Sequence, residues 1–344
     1  MAIYINGRFL TKKLTGIQRY SMEVLKALDE LQTKEEIILL YPRNIIYDLN
    51  FKKIKKVELK FLNGNLWEQI TIPFYLFWKK NVKLISMFNS APILRPDYVV
   101  LHDIAFVTHN SHLTKKFIMW YKFMTRLNIK RYKHIFTVSE FSKKEIIDVY
   151  KVLENKVTIT YNSADHLKNI KPDEKIISKL GLTNKKFCFS LGSKSKHKNH
   201  KYIEQLAINN PDIIFVVSGG GNNRVLKGDT FIELENMIIT GYINDNELVA
   251  LYKNCECFIF PSLYEGFGIP PLEALVVGCP KIAISPLPVL KEIYGDNAFY
   301  LDFEGKDKYN IKKIIEQKKN IDYSKFDEYS WKVIAEKILN EMEK

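Results

Sequence analysis

The chain of 344 residues is short of several things that would narrow its function. No apolar run approaches the ~18–20 residues of a membrane-spanning helix. The amino terminus, Met-Ala-Ile-Tyr-Ile-Asn-Gly-Arg, reads as a strand and turn, not as a secretory leader with a long apolar stretch. Cysteine is scarce: Cys188, Cys255, Cys257 and Cys279 stand in apolar runs with no disulfide-framework or metal-ligand spacing. Cys255-Glu256-Cys257 reads as alternating strand positions. No Asp-x-Asp occurs, so the commonest motif for holding a metal against a diphosphate is absent. There is no solenoid-period repeat and no low-complexity tract. The expectation is a soluble, cytoplasmic protein.

What is present is ordinary in bulk and lopsided in detail. Hydrophobic residues make up 46% and charged residues 26%, which excludes wholesale disorder. At roughly 150 residues per domain the length suggests two domains. The net charge of +13 is unevenly placed: residues 1–165 hold 27 Lys and Arg against 15 Asp and Glu, residues 166–344 hold 25 against 24. A basic half points to an anionic partner: a phosphorylated substrate, an anionic membrane surface or nucleic acid.

Short β-branched or aromatic runs alternate with helical-period segments throughout, as in strand–helix–strand units on parallel sheets. The first half predicts strands at Ala2–Ile5, Ile37–Tyr41, Leu84–Phe88, Tyr98–Leu101 and Ile135–Val138. The second predicts Phe187–Leu191, Ile213–Val217, Met237–Thr240, Cys257–Phe260 and Lys281–Ile284. Two five-strand series imply an α/β protein of two doubly wound, Rossmann-like domains facing across a cleft, joined within Asn162–Asp173. The expected division is residues 1–165, residues 166–320, and a C-terminal helix in 321–344 packing back toward the first domain. Ligands of such sheets sit outside the carboxyl ends of the strands. Those ends are polar or glycine-rich here, at His102-Asp103, Ser139-Glu140, Gly192-Ser193, Ser218 through Gly221, Gly241-Tyr242 and Pro261-Ser262.

The most informative segment follows the strand Cys257–Phe260. It runs Pro261-Ser262-Leu263-Tyr264-Glu265-Gly266-Phe267-Gly268-Ile269-Pro270-Pro271-Leu272-Glu273. Two prolines suit the first turn of a helix, where a missing N–H costs little. Gly266 and Gly268 let the backbone approach a ligand, with amides and helix dipole directed at negative charge. Glu265 and Glu273, one in the loop and one in the first turn, can both accept sugar or ribose hydroxyl protons. Helix capping and a solvated loop would explain either glutamate alone, but not the two with the Gly-Phe-Gly loop and the double proline.

This segment resembles the retaining family 4 glycosyltransferases of the GT-B fold, whose hallmark Glu-Gly-Phe-Gly-x-Pro-x-x-Glu is matched by Glu265 and Glu273. The resemblance covers nearly the whole chain. Thr15-Gly16-Ile17-Gln18-Arg19-Tyr20 is similar to the family's N-terminal glycine loop, and His102-Asp103 to its strand-end pair. Thr137 through Ser142, Lys198-Asn199, Gly241-Tyr242-Ile243 through Leu251-Tyr252, and Ser330-Trp331 also match. The subgroup with this loop and His-Asp includes mannosyltransferases of surface-polysaccharide synthesis.

The resemblance implies residue roles. Glu265, His102 and Asp103 are the catalytic group, with Glu265 on donor-sugar hydroxyls and His102 facing the reacting sugar. Gly16, Ser193, Lys198, Tyr242, Ile243, Gly266, Phe267, Gly268 and Glu273 bind the donor. Of these, Glu273 takes the ribose, Gly16 and Lys198 the diphosphate, Tyr242-Ile243 the base, and Gly266 with Phe267 offer amides. Three positions depart from the family's usual pattern: Ser193 for a common Arg, Asn162-Ser163 for Asn-Gly, and Lys291-Glu292 for Pro-Glu. The resemblance also implies a retaining, metal-independent reaction with no cofactor beyond the nucleotide-sugar co-substrate. With no evident covalent nucleophile, front-face substitution follows. GDP-mannose is the expected donor and a glycan or lipid-linked oligosaccharide the acceptor.

Other features admit plainer explanations. Lys194, Lys196 and Lys201 read as solvated loop cations, whereas Lys198 sits where a diphosphate would be met. Ser218-Gly219-Gly220-Gly221 lacks the dinucleotide spacing and reads as a turn. Thr114–His134 reads as one amphipathic helix, with Lys115, Lys122, Arg126, Lys130 and Lys133 opposite Phe117, Trp120, Tyr121, Met124 and Leu127. Either it is a core helix with a solvated face, or its basic side leans on a membrane together with residues 52–60 and Trp78-Lys79-Lys80. That would place the protein peripherally on the inner face of the cell membrane. A sugar-nucleotide epimerase is the alternative enzyme, disfavoured by the Glu265–Glu273 loop. A basic nucleic-acid-binding protein lacks any recognisable aromatic RNA-binding motif or zinc finger, so no nucleic-acid partner is expected. A donor-binding relative without catalysis is distinguished only by assay.

Overall fold

The structure, a computed structural model, describes residues 2–109, 114–192, 195–219 and 232–344. The chain divides into two compact units. The first takes Met1–Thr108, Ile118–Asn162 and Glu328–Lys344; the second takes His109–Phe117 and Ser163–Asp327.

The first unit is built on a seven-stranded parallel sheet in the order β3-β2-β1-β4-β5-β6-β7. Its strands are β1 (Ala2–Asn6), β2 (Glu36–Tyr41), β3 (Lys55–Glu58), β4 (Val82–Ser86), β5 (Tyr98–Val100), β6 (His134–Thr137) and β7 (Val157–Ile159). Its helices are α1 (Gly16–Glu30), α2 (Gly64–Leu66), α3 (Ile72–Leu76), α4 (Ala105–Thr108), α5 (Lys115–Asn128), α6 (Glu140–Tyr150) and α13 (Trp331–Glu343). A π-helical turn, Trp67–Thr71, joins α2 to α3 without a break. β1, β2 and β4 are nearly continuous apolar runs because helices cover both faces of a parallel sheet. Trp67, Ile72 and Leu76 enter the core beside Tyr4, Ile38 and Leu84. α13 returns to this unit and packs on α1, with Trp331 edge-on to Tyr20 at 5.8 Å between ring centroids.

The second unit carries a six-stranded parallel sheet in the order β10-β9-β8-β11-β12-β13. These strands are β8 (Phe187–Leu191), β9 (Ile214–Ser218), β10 (Met237–Gly241), β11 (Cys257–Phe260), β12 (Ile282–Ile284) and β13 (Phe299–Tyr300). The helices are α7 (Lys175–Lys179), α8 (His200–Asn209), α9 (Asp245–Asn254), α10 (Ile269–Val276), α11 (Pro288–Tyr294) and α12 (Ile311–Glu316). The four cysteines are buried free thiols in this unit.

Each sheet is wider than its predicted five strands. The additional strands β3, β7 and β13 are edges of two to four residues, too short and too exposed to carry an apolar run. The third strand lies two residues earlier than expected, because Met87 and Phe88 are buried loop residues that mimic a strand. The helix expected over Thr114–His134 stops at Asn128. Lys133 N–H is drawn to Asp97 O at 2.7 Å, and His134 opens β6. Within α5 the division of faces also differs: Met124 is buried, but Leu127 is exposed with Met119 and Phe123.

Candidate active site

In the second unit the parallel sheet delivers the glutamate segment from the carboxyl end of β11. Gly268 adopts φ +88°, and a Cβ there would lie 2.6 Å from Leu290 Cδ2, so the turn into α10 requires glycine. Pro270 and Pro271 occupy the first turn of α10, as their fixed φ favours. The Tyr294 hydroxyl donates to Gly268 O and fixes the loop from below. Phe267 is buried and anchors the loop, which carries the Glu265 carboxylate, while Glu273 lies within α10.

The structure brings Glu265 and Lys198 together: Lys198 Nζ donates to Glu265 Oε1 at 2.6 Å, both side chains mostly buried. Lys198 also lies 5.0 Å from the centre of the Phe260 ring. It ends a short 3-10 turn, Lys196–Lys198, bonded to the glutamate loop through Leu263 N–H to His197 O at 2.7 Å. Gly192 backs the lysine, since a Cβ there would meet Lys198 Cγ at 3.3 Å. Gly219, at φ +101°, packs on the Gly192 backbone; its Cβ would stand 2.3 Å from Gly192 O. The glycine at 219 is thus needed for the close approach of the loops that follow β8 and β9. Ser193, Lys194, Gly220 and Gly221 lie outside the described residues.

Glu273 is held at both oxygens. His166 Nε2–H donates to Oε1 at 3.2 Å, and the Tyr252 hydroxyl donates to Oε2 at 3.3 Å. Burial, reinforced by the adjacent Glu273 charge, pushes the Tyr252 phenol well up, so it stays a donor. Two donors leave further acceptor directions on the carboxylate for vicinal hydroxyls. Neither partner was assigned a role from sequence. Tyr252 lies in a matched segment but reads as a core aromatic. His166 belongs to the joining stretch, 107 residues from Glu273, and carries no local signal. Tyr242 is 77% exposed beside Gly241 at φ +74°, and Ile243 is half-buried next to it.

In the first unit Gly16 opens α1, with Thr15 as extended N-cap, so backbone amides are presented at that helix end. His102 follows β5 and is only 5% exposed. Its Nε2–H donates to Met87 O at 3.0 Å, which leaves Nδ1 as the acceptor of a neutral ring. Burial lowers its pKa to about 4, so His102 is uncharged at neutral pH. The backbone around it is pinned: His102 N–H donates to Asn89 Oδ1 at 2.7 Å and Ser142 Oγ donates to His102 O at 3.3 Å. Ser142 is set by Ser139, whose Oγ caps α6, and this accounts for the matched Thr137–Ser142 run. Tyr20 stands edge-on to the imidazole at 4.8 Å. Asp103 Oδ1 accepts from Ala105 N–H at 3.0 Å, so this carboxylate caps α4.

Residues 172–333 match the family model described as "Glycosyl transferases group 1". The chain is 26% identical over 322 residues to the O-antigen chain mannosyltransferase RfbU of Salmonella typhimurium, covering 87% of this chain and 86% of that protein. It is 26% identical over 324 residues to the O-antigen chain mannosyltransferase B of Escherichia coli, covering 84% and 83%. Among solved structures it is similar to Anabaena Alr3699/HepE in complex with UDP-glucose, with a TM-score of 0.72, 15% identity, and coverage of 100% and 99%. That structural likeness establishes the fold. With two parallel α/β sheets and a glutamate pair on the strand-end loop of the second, the chain is a retaining nucleotide-sugar glycosyltransferase of the GT-B fold, and its residues 172–333 carry the match to the group 1 (family 4) glycosyltransferases.

Proposed function

We propose that this nucleotide-sugar glycosyltransferase moves mannose from GDP-mannose to a glycan or lipid-linked oligosaccharide acceptor during polysaccharide synthesis. The sugar is favoured by the two O-antigen mannosyltransferases that match most of the chain. The observation that carries the site assignment is the placement of Glu265, paired with Lys198, and Glu273 at the two ends of one loop–helix junction.

Lys198 and Glu265 neutralise each other, so neither charge is bare in a mostly buried position. A donor exchanges that pairing for two others. Its diphosphate takes Lys198 and the amides at the α10 N-terminus, and its sugar hydroxyls take Glu265. Gly266 and Phe267 amides face the same sugar, Glu273 takes the ribose, and Tyr242 with Ile243 lies along the base. Gly16 is assigned to the diphosphate through the backbone amides that open α1. As the glycosidic bond to phosphate breaks, charge grows on the leaving diphosphate, and preorganised cation and amides stabilise it. Neutral His102 accepts a hydroxyl proton in a hydrogen bond, while Asp103 holds the α4 turn behind it. The acceptor hydroxyl attacks from the face the leaving group vacates and passes its proton to the departing diphosphate oxygen, which retains the anomeric configuration.

A thermal-shift panel of GDP-mannose, UDP-glucose and dTDP-rhamnose tests the donor. A ligand at 100 times its Kd adds about 2.7 kcal/mol. Stabilisation by a UDP- or dTDP-sugar with none by GDP-mannose would overturn the mannose assignment.

A further inference from the structure

The helical run α2–π–α3 in the first unit is apolar on two opposite faces. One face places Trp67, Ile72 and Leu76 in the core. The other leaves Leu66, Ile70, Phe74, Phe77 and Trp78 exposed, with Phe77 74% and Trp78 69% accessible. Their spacing of four, four, three and one makes a single outward stripe. Phe74 and Phe77 pack edge-on against Trp78 at 5.1 and 5.0 Å. A helix apolar all round is normally covered all round.

A second exposed stripe stands next to it. Met119, Phe123 and Leu127 repeat every four residues on the outer side of α5. The two helices are neighbours, because Ala91 O accepts from both Gln69 Nε2 at 3.4 Å and Asn128 Nδ2 at 3.1 Å. Both lie in crossovers that run the same way along the sheet, β3 to β4 and β5 to β6, so right-handedness puts them on one face. Exposed Leu94 lies on the loop between them.

The charge around these stripes has one sign. Lys79, Lys80, Lys115, Lys116, Lys122, Arg126 and Lys130 are exposed on the same helices and their ends. Residues 104–139 contain no Asp or Glu. The one acid of residues 66–80, Glu68, is buried against Arg8 at 2.7 Å. Among the described residues no carboxylate pairs with Lys80, Lys122, Arg126 or Lys130. The lysines of residues 52–60 differ: Lys55, Lys56 and Lys60 are bound to Glu36, Asp48 and Glu58. A second copy on this face would set cations against cations. An anionic bilayer satisfies both properties at once, taking aromatic side chains below its headgroups and lysines among them.

We infer that the aromatic stripe Leu66–Trp78, with the outer face of α5, is a docking surface for anionic lipid. This deepens the lipid-linked-acceptor reading, but vesicle binding needs neither donor nor acceptor, so either can fail alone. The protein is sedimented with vesicles of equal parts phosphatidylglycerol and phosphatidylcholine, and with phosphatidylcholine alone. Binding to the anionic vesicles only, weakened by salt, is expected. Phe74→Ser, Phe77→Ser, Trp78→Ser together, all exposed, should weaken it at least tenfold, as should Lys122→Glu, Arg126→Glu, Lys130→Glu. Brominated lipid should quench tryptophan emission in Trp120→Phe and much less in Trp78→Phe, Trp120→Phe together, since the remaining Trp67 and Trp331 are buried. No anionic preference, undiminished binding by the aromatic triple variant, quenching that survives Trp78→Phe, Trp120→Phe together, or a dimer in solution that shields Trp78 would each overturn the inference.

Discussion

Acid should destabilise the first unit through His102, and the size of the effect follows from its surroundings. The ring is buried, bonded to a carbonyl by Nε2–H, and held near a pKa of about 4. In the unfolded chain a histidine titrates near 6.5. Between those values the unfolded state binds a proton that the native state refuses, so stability falls as pH drops from 6.5 toward 4. The full loss is about 3 kcal/mol, and roughly 2 kcal/mol of it is reached by pH 5. In a unit of this size that corresponds to a melting temperature lower by about 4–8 °C than at pH 7. Other groups titrate in the same range, so the informative quantity is a difference between variants. His102→Gln keeps an amide N–H for Met87 O and has no proton to gain. Melting both proteins at pH 5 and pH 7, we expect the parent to lose about 2 kcal/mol more than the variant. Equal losses would show that His102 is charged or solvated in the native state, and its role as a neutral acceptor would fall with it.

Glu273→Ala should raise the donor KM with a smaller effect on turnover, and Glu265→Ala should mainly lower kcat; parent-like kinetics in both would remove the site assignment. Tyr252→Phe keeps the ring packed against Phe189 and Phe258 but deprives Glu273 of one donor. A hydrogen bond to a charged group contributes about 1.5–3 kcal/mol, so donor affinity measured by titration should fall by about ten- to a hundredfold. An unchanged Kd would mean that Tyr252 only fills space. Activity should survive EDTA, because no Asp-x-Asp is present and Lys198 supplies positive charge at the diphosphate; complete loss restored by manganese or magnesium would reveal a metal requirement.

Much of the architecture was legible because parallel sheets write themselves locally. A strand covered on both faces is a continuous apolar run, and β1, β2, β8 and β11 stand where those runs stand. The glutamate loop was legible for a similar reason: Gly-Phe-Gly and Pro-Pro encode a turn and a helix start by their own backbone preferences. Edge strands were not, since β3, with the sequence Lys-Lys-Val-Glu, owes its conformation to the hydrogen bonds of β2 rather than to its side chains.

The sequence by itself determined two α/β units, the family, and which carboxylates and which lysine to suspect, because each of these rests on residues close together in the chain. Only the tertiary structure decided what those groups touch. It joined Lys198 to Glu265 across 67 residues and His166 to Glu273 across 107. It made His102 a neutral acceptor by burying it, since desolvation depends on everything packed around a ring and not on its neighbours in sequence. It also sorted the cations of the basic half. Lys55, Lys56 and Lys60 found carboxylate partners, whereas Lys80, Lys122, Arg126 and Lys130 beside the aromatic stripe have none among the described residues, and charge pairing between distant segments is settled only when the chain has folded.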